Sequence, residues 1–285
     1  MARRCGADLV HATDVWRSGY MHHAAGKLGV PSVLHVRGPM SDRDIRKHKV
    51  ARADGVIAIA QRYHNDLVSA GVAPGRLEVI DDAVDLERFR PGLAGREYLQ
   101  GRFGVDGELF VGLVGRVDPF KRVLEFLQAV APLANSYGRR VKYLIVGQPG
   151  RKSYYQKVLD AVRSLGLREH VVLTDHEEDI AETIAALDIL VTMSGGSVMF
   201  EAMACATPVL SVRTDGRHSV HTRHDDTAWC VTTDRPEPVT SGLAKLIDES
   251  DLRLRLSQAG RTWAQGHLST ATMAARTQGL YERLF

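Results

Sequence analysis

The chain is short of cysteine, has no long apolar run and carries almost no excess charge, and each shortage removes a class of protein. Its three cysteines, Cys5, Cys205 and Cys230, are odd in number, far apart and set in apolar context. That argues against a disulfide framework and for reduced core thiols of a cytoplasmic protein. No cysteine and histidine pair has metal-ligand spacing, so no metal is expected. No stretch approaches the roughly 20 apolar residues of a spanning helix, and the opening MARRCGADLVHATDVW has a basic start without the apolar core of a signal peptide. Secretion and membrane insertion are therefore not expected. The formal net charge of +3, with acids and bases interspersed, is too small for a nucleic-acid footprint. Anionic small molecules and an acidic membrane face stay open as partners.

What is present is an ordinary composition, 44% hydrophobic and 25% charged over 285 residues, enough for one large domain or two of common size. Short β-branched runs alternate with helical patterns: ADLVHAT, SVLHVRG, GVIAIA and LEVID, then LFVGLVG, VKYLIVG, HVVLTD, DILVTM, PVLSV and AWCV. Runs that are apolar throughout and separated by helices suit parallel sheets covered on both faces, so the expected fold class is α/β, twice over. Val123, Phe126, Leu127, Val130 and Ala134 recur at three- and four-residue steps, the stripe of an amphipathic helix, with Asp118 and Pro119 as its cap and first turn. Between the fourth and fifth strands, LERFRPGLAGREYLQGRFGVDGE is charged, glycine-rich and aperiodic. The boundaries read as 1–90 for an N-terminal domain, 91–107 for a linker, 108–265 for a second domain, and 266–285 for a last helix that could pack back on the first domain. The first domain reads as incomplete, with four candidate strands against six and no βα unit ahead of ADLVHAT. Its edge would call for preceding chain, a partner or an oligomer to cover it.

Two stretches carry chemistry. VGLVGRVDPFKR is a strand, a glycine turn at Gly115, then Arg116 and Lys121 bracketing the start of a helix. Strand ends followed by helix N-termini bind phosphates in open α/β sheets, and two cations suit a diphosphate, though two merely solvated cations would give the same string. The pattern is neither a dinucleotide glycine turn nor a Walker loop, which counts against hydride transfer and ATP hydrolysis. SGGSVMFEAMACATPV places Gly195, Gly196 and Ser197 ahead of a helix beginning near Val198, a second phosphate cradle. Glu201, one turn in, could accept hydrogen bonds from two ribose hydroxyls or could serve only as an acid favoured by the helix dipole.

Together these stretches resemble the retaining, metal-independent glycosyltransferases of GT-B fold, in particular glycosyltransferase family 4, over nearly the whole chain. ADGVIAIAQRYHNDLVSAGVAPGRLEVIDDAVDLERFRP is similar to the end of that family's first domain, VGLVGRVDPFKR to its Gly-Arg and Lys motif, and AALDILVTMSGGSVMFEAMACATPVLSV to its Ala-Asp strand followed by Glu-Ala-Met-Ala and Pro-Val. The resemblance implies two Rossmann-like domains, the N-terminal one shortened, and a UDP- or GDP-linked nucleotide sugar as donor, with no other cofactor. Arg116 and Lys121 would clamp the diphosphate, Glu201 would hold the ribose in an interdomain cleft, and Gly115, Gly195, Gly196, Ser197 and Val198 would lie along the donor. The leaving diphosphate would help deprotonate a glycan or lipid-linked acceptor, so no protein nucleophile is implied.

Departures from the family pattern are explicit. Met193 stands where relatives carry a glutamate eight positions before Glu201. Asp82 and Ala83 replace Asn-Gly, Arg37 and Gly38 stand where His-Gly is common, and the loop 215–219 reads Asp-Gly-Arg-His-Ser. The rival from another class is a nucleotide-sugar-binding subunit without transferase activity of its own; a sugar-nucleotide epimerase is a third reading, lacking an identifiable acid/base pair. On the acceptor side the candidates are His11 and Arg37, with His35 nearby; His218 and His221 could reach the donor sugar. Arg43, Arg46, Lys47 and Arg52 could dock on anionic lipid at the inner face of the cell membrane, or form an ordinary solvated face. Trp229 and Trp263 read as core.

Overall fold

The computed structural model describes residues 6–174, 176–213 and 220–285. The chain divides into two compact units, Met1–Ala83 joined by Thr270–Phe285, and Val84–Ser269.

In the first unit, strands β1 (Val10–Ala12), β2 (Ser32–Val36), β3 (Gly55–Ala58) and β4 (Leu77–Val79) form a parallel sheet in sequential order. Helices α1 (Ser18–Leu28), α2 (Asp42–Lys47) and α3 (Gln61–Ser69) make the crossovers. Sequential strands with right-handed crossovers put every connecting helix on one face. Alternate side chains then meet different neighbours: Leu34, Val36, Val56 and Ala58 pack with Met21, Ile45 and Leu67 of those helices. Val33 and Ile57 face the other way.

The second unit opens with α4 (Arg96–Phe103), then β5 (Leu109–Val114), α5 (Val123–Tyr137), β6 (Val141–Val146), α6 (Lys152–Ser164), β7 (Val171–Leu173), α7 (Ile180–Ala185), β8 (Ile189–Thr192), α8 (Val198–Ala204), β9 (Val209–Val212), β10 (Trp229–Val231), α9 (Pro236–Asp248) and α10 (Ser250–His267). Its sheet is parallel in the order β10-β9-β8-β5-β6-β7. Val111 and Leu113 of β5 pack into one core with α5, α6 and α9; Phe110 and Val114 pack into another with α4, α7 and α8. This is the doubly wound arrangement, whose chain reversal lies between β5 and β8. The final helix α11 (Thr270–Glu282) closes the first unit, its Leu280 and Met273 packing with Val33 and Ile57 on the face the crossovers leave bare. Arg276 and Arg283 both pair with Glu78 of β4, at 3.1 and 2.7 Å.

The fold is thus two parallel Rossmann-like sheets, with two corrections to the expected organisation. Residues 91–107 are not a plain linker: they include α4, whose Leu99 is fully buried in the second unit, and the division between units falls at Ala83/Val84. Asp118 does not cap α5. It caps a separate 3-10 turn, Pro119–Lys121, and Arg122 breaks to the left-handed region at φ 56° before α5 begins. The stripe of α5 is as expected, with Val123, Phe126, Leu127, Val130 and Ala134 all buried.

Candidate functional site

β5 and β8 lie side by side at the point where the chain reverses, and the carboxyl ends of the strands there are the usual ligand position in a doubly wound sheet. Gly115 ends β5 at φ 138° and Gly147 ends β6 at φ 143°, conformations that favour glycine. Gly115 N–H donates to the Val146 carbonyl at 2.8 Å. A Cβ on Gly147 would sit 2.4 Å from the Gly115 carbonyl oxygen. The loops then zip together, Val117 N–H to Gln148 O and Gly150 N–H to Val117 O, each at 3.0 Å. Gly147→Ala is therefore expected to cost about 3 kcal/mol or more of stability, through backbone overlap and a forbidden φ. Urea unfolding measures it, and a loss below about 1 kcal/mol would show that the two loops can part cheaply.

That rigid pair of loops delivers Lys121. The 3-10 turn is held by Asp118, whose carboxylate accepts from Lys121 N–H, and by Arg122, whose side chain pairs with Glu125 at 3.4 Å and with Asp234. A Cβ on Gly115 would lie 2.7 Å from Lys121 Cε, and one on Gly196 would lie 3.7 Å from its Nζ. The ammonium is thus seated between the glycine turns after β5 and β8, with room made by the absent side chain at Gly115. Burial lowers the Lys121 pKa most, Asp118 and Glu201 act to raise it, and Arg116 lowers it further. Burial raises Glu201 from its usual value, opposed by Arg88 and then Lys121. Glu201 is therefore a desolvated carboxylate in the field of two cations. Arg116 donates from Nε to Asp118 at 2.9 Å and is 64% exposed. It borders a 740 Å³ groove shared with Asp118, Phe120, Gly150 and Arg151.

The structure brings Gly115, Lys121, Gly196 and Glu201 together, with Arg116 in Lys121's electrostatic reach. Gly195 lies in the left-handed region at φ 69°, its carbonyl accepting from Thr192 Oγ1 at 3.2 Å. Ser197 precedes α8 and Val198 is its first residue, 8% exposed. Met193 is 1% exposed within the second unit's core, so that position supplies no polar group. Sequence reasoning passed over Arg88, Gly147 and Arg151. Arg88 sits inside the LERFRP string, where its charge looked like one of several, and Gly147 looked like an ordinary strand end.

The remaining candidates are placed differently. His11 lies inside β1, its Nδ1 2.6 Å from Tyr281 Oη and its ring 5.9 Å from that of His35. Arg37 pairs with Asp82 at 2.8 Å. His221 is buried, accepting from Trp263 Nε1 at 3.0 Å and edge-on to Phe200. Trp229 and Trp263 are half-buried at the margins of two cores, not within them. Arg43, Arg46 and Lys47 share α2, whereas Arg52 lies in a following 3-10 turn, so the four do not form one helix face. His218 and the rest of 214–219 lie outside the described residues, as do Cys5 and Asp175. Among the described residues no helix is long and apolar enough to cross a membrane.

His35 gives a pH prediction. Burial, then Arg37 and His11, lower its pKa from 6.5 to about 4. The unfolded chain thus binds more protons between those values, and the contribution is complete above about pH 6.5 and lost as pH falls through 4. Its ceiling is on the order of 3 kcal/mol. Comparing urea midpoints at pH 7 and 4.5 for wild type and His35→Asn checks it: the variant should lose less on acidification, and equal losses would refute it.

Residues 98–263 match the model of the glycosyl transferases group 1, and residues 1–88 match that of glycosyltransferase family 4. The D-inositol 3-phosphate glycosyltransferase of Rhodococcus erythropolis is 31% identical over 83% of this chain and 56% of its own length. The 2-deoxystreptamine glucosyltransferase of Streptomyces kanamyceticus is 28% identical, covering 100% of this chain and 79% of its own. The chain spans little more than half of the first curated relatives it matches, 56% and 57%. Among solved structures, Anabaena HepE in complex with UDP superposes with TM-score 0.89 at 20% identity, over 98% of this chain and 79% of that one. Sucrose-phosphate synthase of Thermosynechococcus elongatus gives 0.84 at 17%, over 100% and 75%. With its two parallel Rossmann-like sheets of GT-B type and a family match across most of the second unit, the chain belongs to the group 1 glycosyl transferases.

Proposed function

We propose that the chain transfers a glycosyl group from a UDP- or GDP-linked nucleotide sugar to an acceptor hydroxyl, with retention, in glycan or glycolipid synthesis. The observation that carries this is the seat of Lys121 Nζ between the Gly115 and Gly196 turns, within the field of Glu201. A half-buried ammonium at the sheet's switch point is suited to a ligand that brings negative charge. The UDP complex of the HepE neighbour is consistent with a nucleoside diphosphate as that charge.

In this reaction the bond between the anomeric carbon and the diphosphate oxygen breaks, and one to the acceptor oxygen forms on the same face. The acceptor's proton goes to the leaving diphosphate. Lys121 and Arg116 stabilise the charge that grows on that leaving group, and the backbone at Gly196 and Ser197 lies along it. Glu201 accepts hydrogen bonds from the ribose hydroxyls; Gly195 and Val198 shape the turn that presents them. His11 and Arg37 belong to the acceptor side. Membrane contact of the α2 region and a partner or second copy beside the first sheet belong to the same proposal.

Incubation with UDP-glucose or GDP-mannose and a panel of hydroxyl acceptors, with nucleotide release as readout and the product's anomeric configuration by NMR, tests it. Release that falls at least tenfold in Arg116→Ala, with a retained configuration, is expected. Nucleotide binding without release from either donor would favour the non-catalytic subunit.

A further inference from the structure

The first unit carries a second concave site that the donor proposal does not use. A 520 Å³ groove is lined by Trp16 from the 3-10 turn ahead of α1, by Ser18, His22 and His23 of α1, and by Lys47, His48, Lys49 and Arg52 from the end of α2 and the turn beyond it. No carboxylate is among its lining residues. Beneath its surface His22 Nε2 and His48 Nε2 are buried without a hydrogen-bond partner. His48 is held by Ser18 Oγ at 3.3 Å from its Nδ1, and its ring meets that of Trp16 at right angles with centroids 5.0 Å apart. Lys49 adopts the left-handed region at φ 52°, a strained choice for a residue with a side chain. Burial lowers the pKa of His22 most; the Lys49 and His48 backbones act against this, while the Arg52 and Lys49 charges add to it.

The sign of the ligand follows from the lining. Clustered imidazoles alone would suit a metal ion, but Lys47, Lys49 and Arg52 repel one, and no group of three metal-ligating side chains exists among the described residues. Lysine and arginine donate only, and the exposed His23 adds an imidazole, so the open face of the groove is rich in donors for an anion. Its volume falls in the range of small-molecule pockets, about 300–1,000 Å³, larger than a bare oxyanion needs. Trp16, 69% exposed at the rim, offers an apolar plane to a ring. We propose that this groove binds a phosphate-monoester group carried on a ring-bearing molecule.

Calorimetric titration with glucose 6-phosphate, alongside glucose, tests the proposal, with Trp16 fluorescence as a second readout. A parallel arm uses phosphatidylcholine vesicles with and without phosphatidic acid. Saturable binding of glucose 6-phosphate but not glucose, weakened tenfold or more in Lys47→Ala/Arg52→Ala and kept in Lys121→Ala, is the expected result. In Trp16→Phe the fluorescence change should vanish. Binding confined to phosphatidic acid vesicles, with the same loss in the double variant, would overturn the ring-bearing ligand and make a lipid headgroup phosphate the occupant. Absence of binding in both arms, or affinity unchanged in the double variant, would overturn it. Both substituted side chains are exposed, and circular dichroism checks that the fold persists.

Discussion

Lys121→Ala is expected to lower the turnover of the nucleotide-sugar reaction by about 10²- to 10³-fold, the range found when one preorganised donor to a developing anion is removed. The geometry makes the loss hard to replace. Lys121 packs over Gly115, where a Cβ would meet its Cε at 2.7 Å. Of the other cations on the loop, Arg116 is exposed and already engaged with Asp118, and Arg122 pairs with Glu125 and Asp234. Lys121→Arg should fail to restore activity, because a planar guanidinium is broader than an ammonium in that slot. Stability should change by no more than about 1 kcal/mol, since the substitution removes a half-buried charge whose desolvation is unfavourable and leaves Glu201 with Arg88. Steady-state kinetics with matched urea curves separate the outcomes. Turnover within threefold of wild type would remove Lys121 from the mechanism.

Glu201→Ala is expected to weaken binding of the donor nucleotide about 10- to 100-fold, because a carboxylate accepting hydroxyl hydrogen bonds contributes about 1.5–3 kcal/mol. The effect should depend on the sugar of the nucleotide. Wild type should prefer UDP to 2′,3′-dideoxy-UDP, and the variant should bind both alike, as a double-mutant cycle between residue and hydroxyl requires. Equal losses for both nucleotides would instead make Glu201 a counter-ion of Lys121 and Arg88. That outcome would reassign its role without touching the diphosphate.

The strands were legible in the sequence because a parallel sheet covered on both faces leaves nowhere for polar residues, and all ten apolar runs contain strands. Strand order was not legible: β5 pairs with β8, some 80 positions away, and no local pattern encodes that choice. Helix α4 was hidden because REYLQGRF carries two arginines, a glutamate and a glycine, and among its residues only Leu99 is fully buried. The 3-10 turn ahead of α5 was hidden because Asp-Pro begins both kinds of helix equally well, and Arg122, at the break, meets Asp234 far along the chain. In the candidate site, the charged residues could be named from motifs, whereas the requirement for glycine at 147 arises only from its approach to Gly115. Met193 was visible as a departure; its burial in the core shows what the position does instead.

The most direct measurement is calorimetric titration of the intact chain with UDP and GDP, repeated on Lys121→Ala. Saturable binding of at least one nucleotide at millimolar concentration or below, weakened tenfold or more by the substitution, is the expected result. No heat from either nucleotide, or an affinity indifferent to Lys121, would contradict a diphosphate site between the β5 and β8 turns.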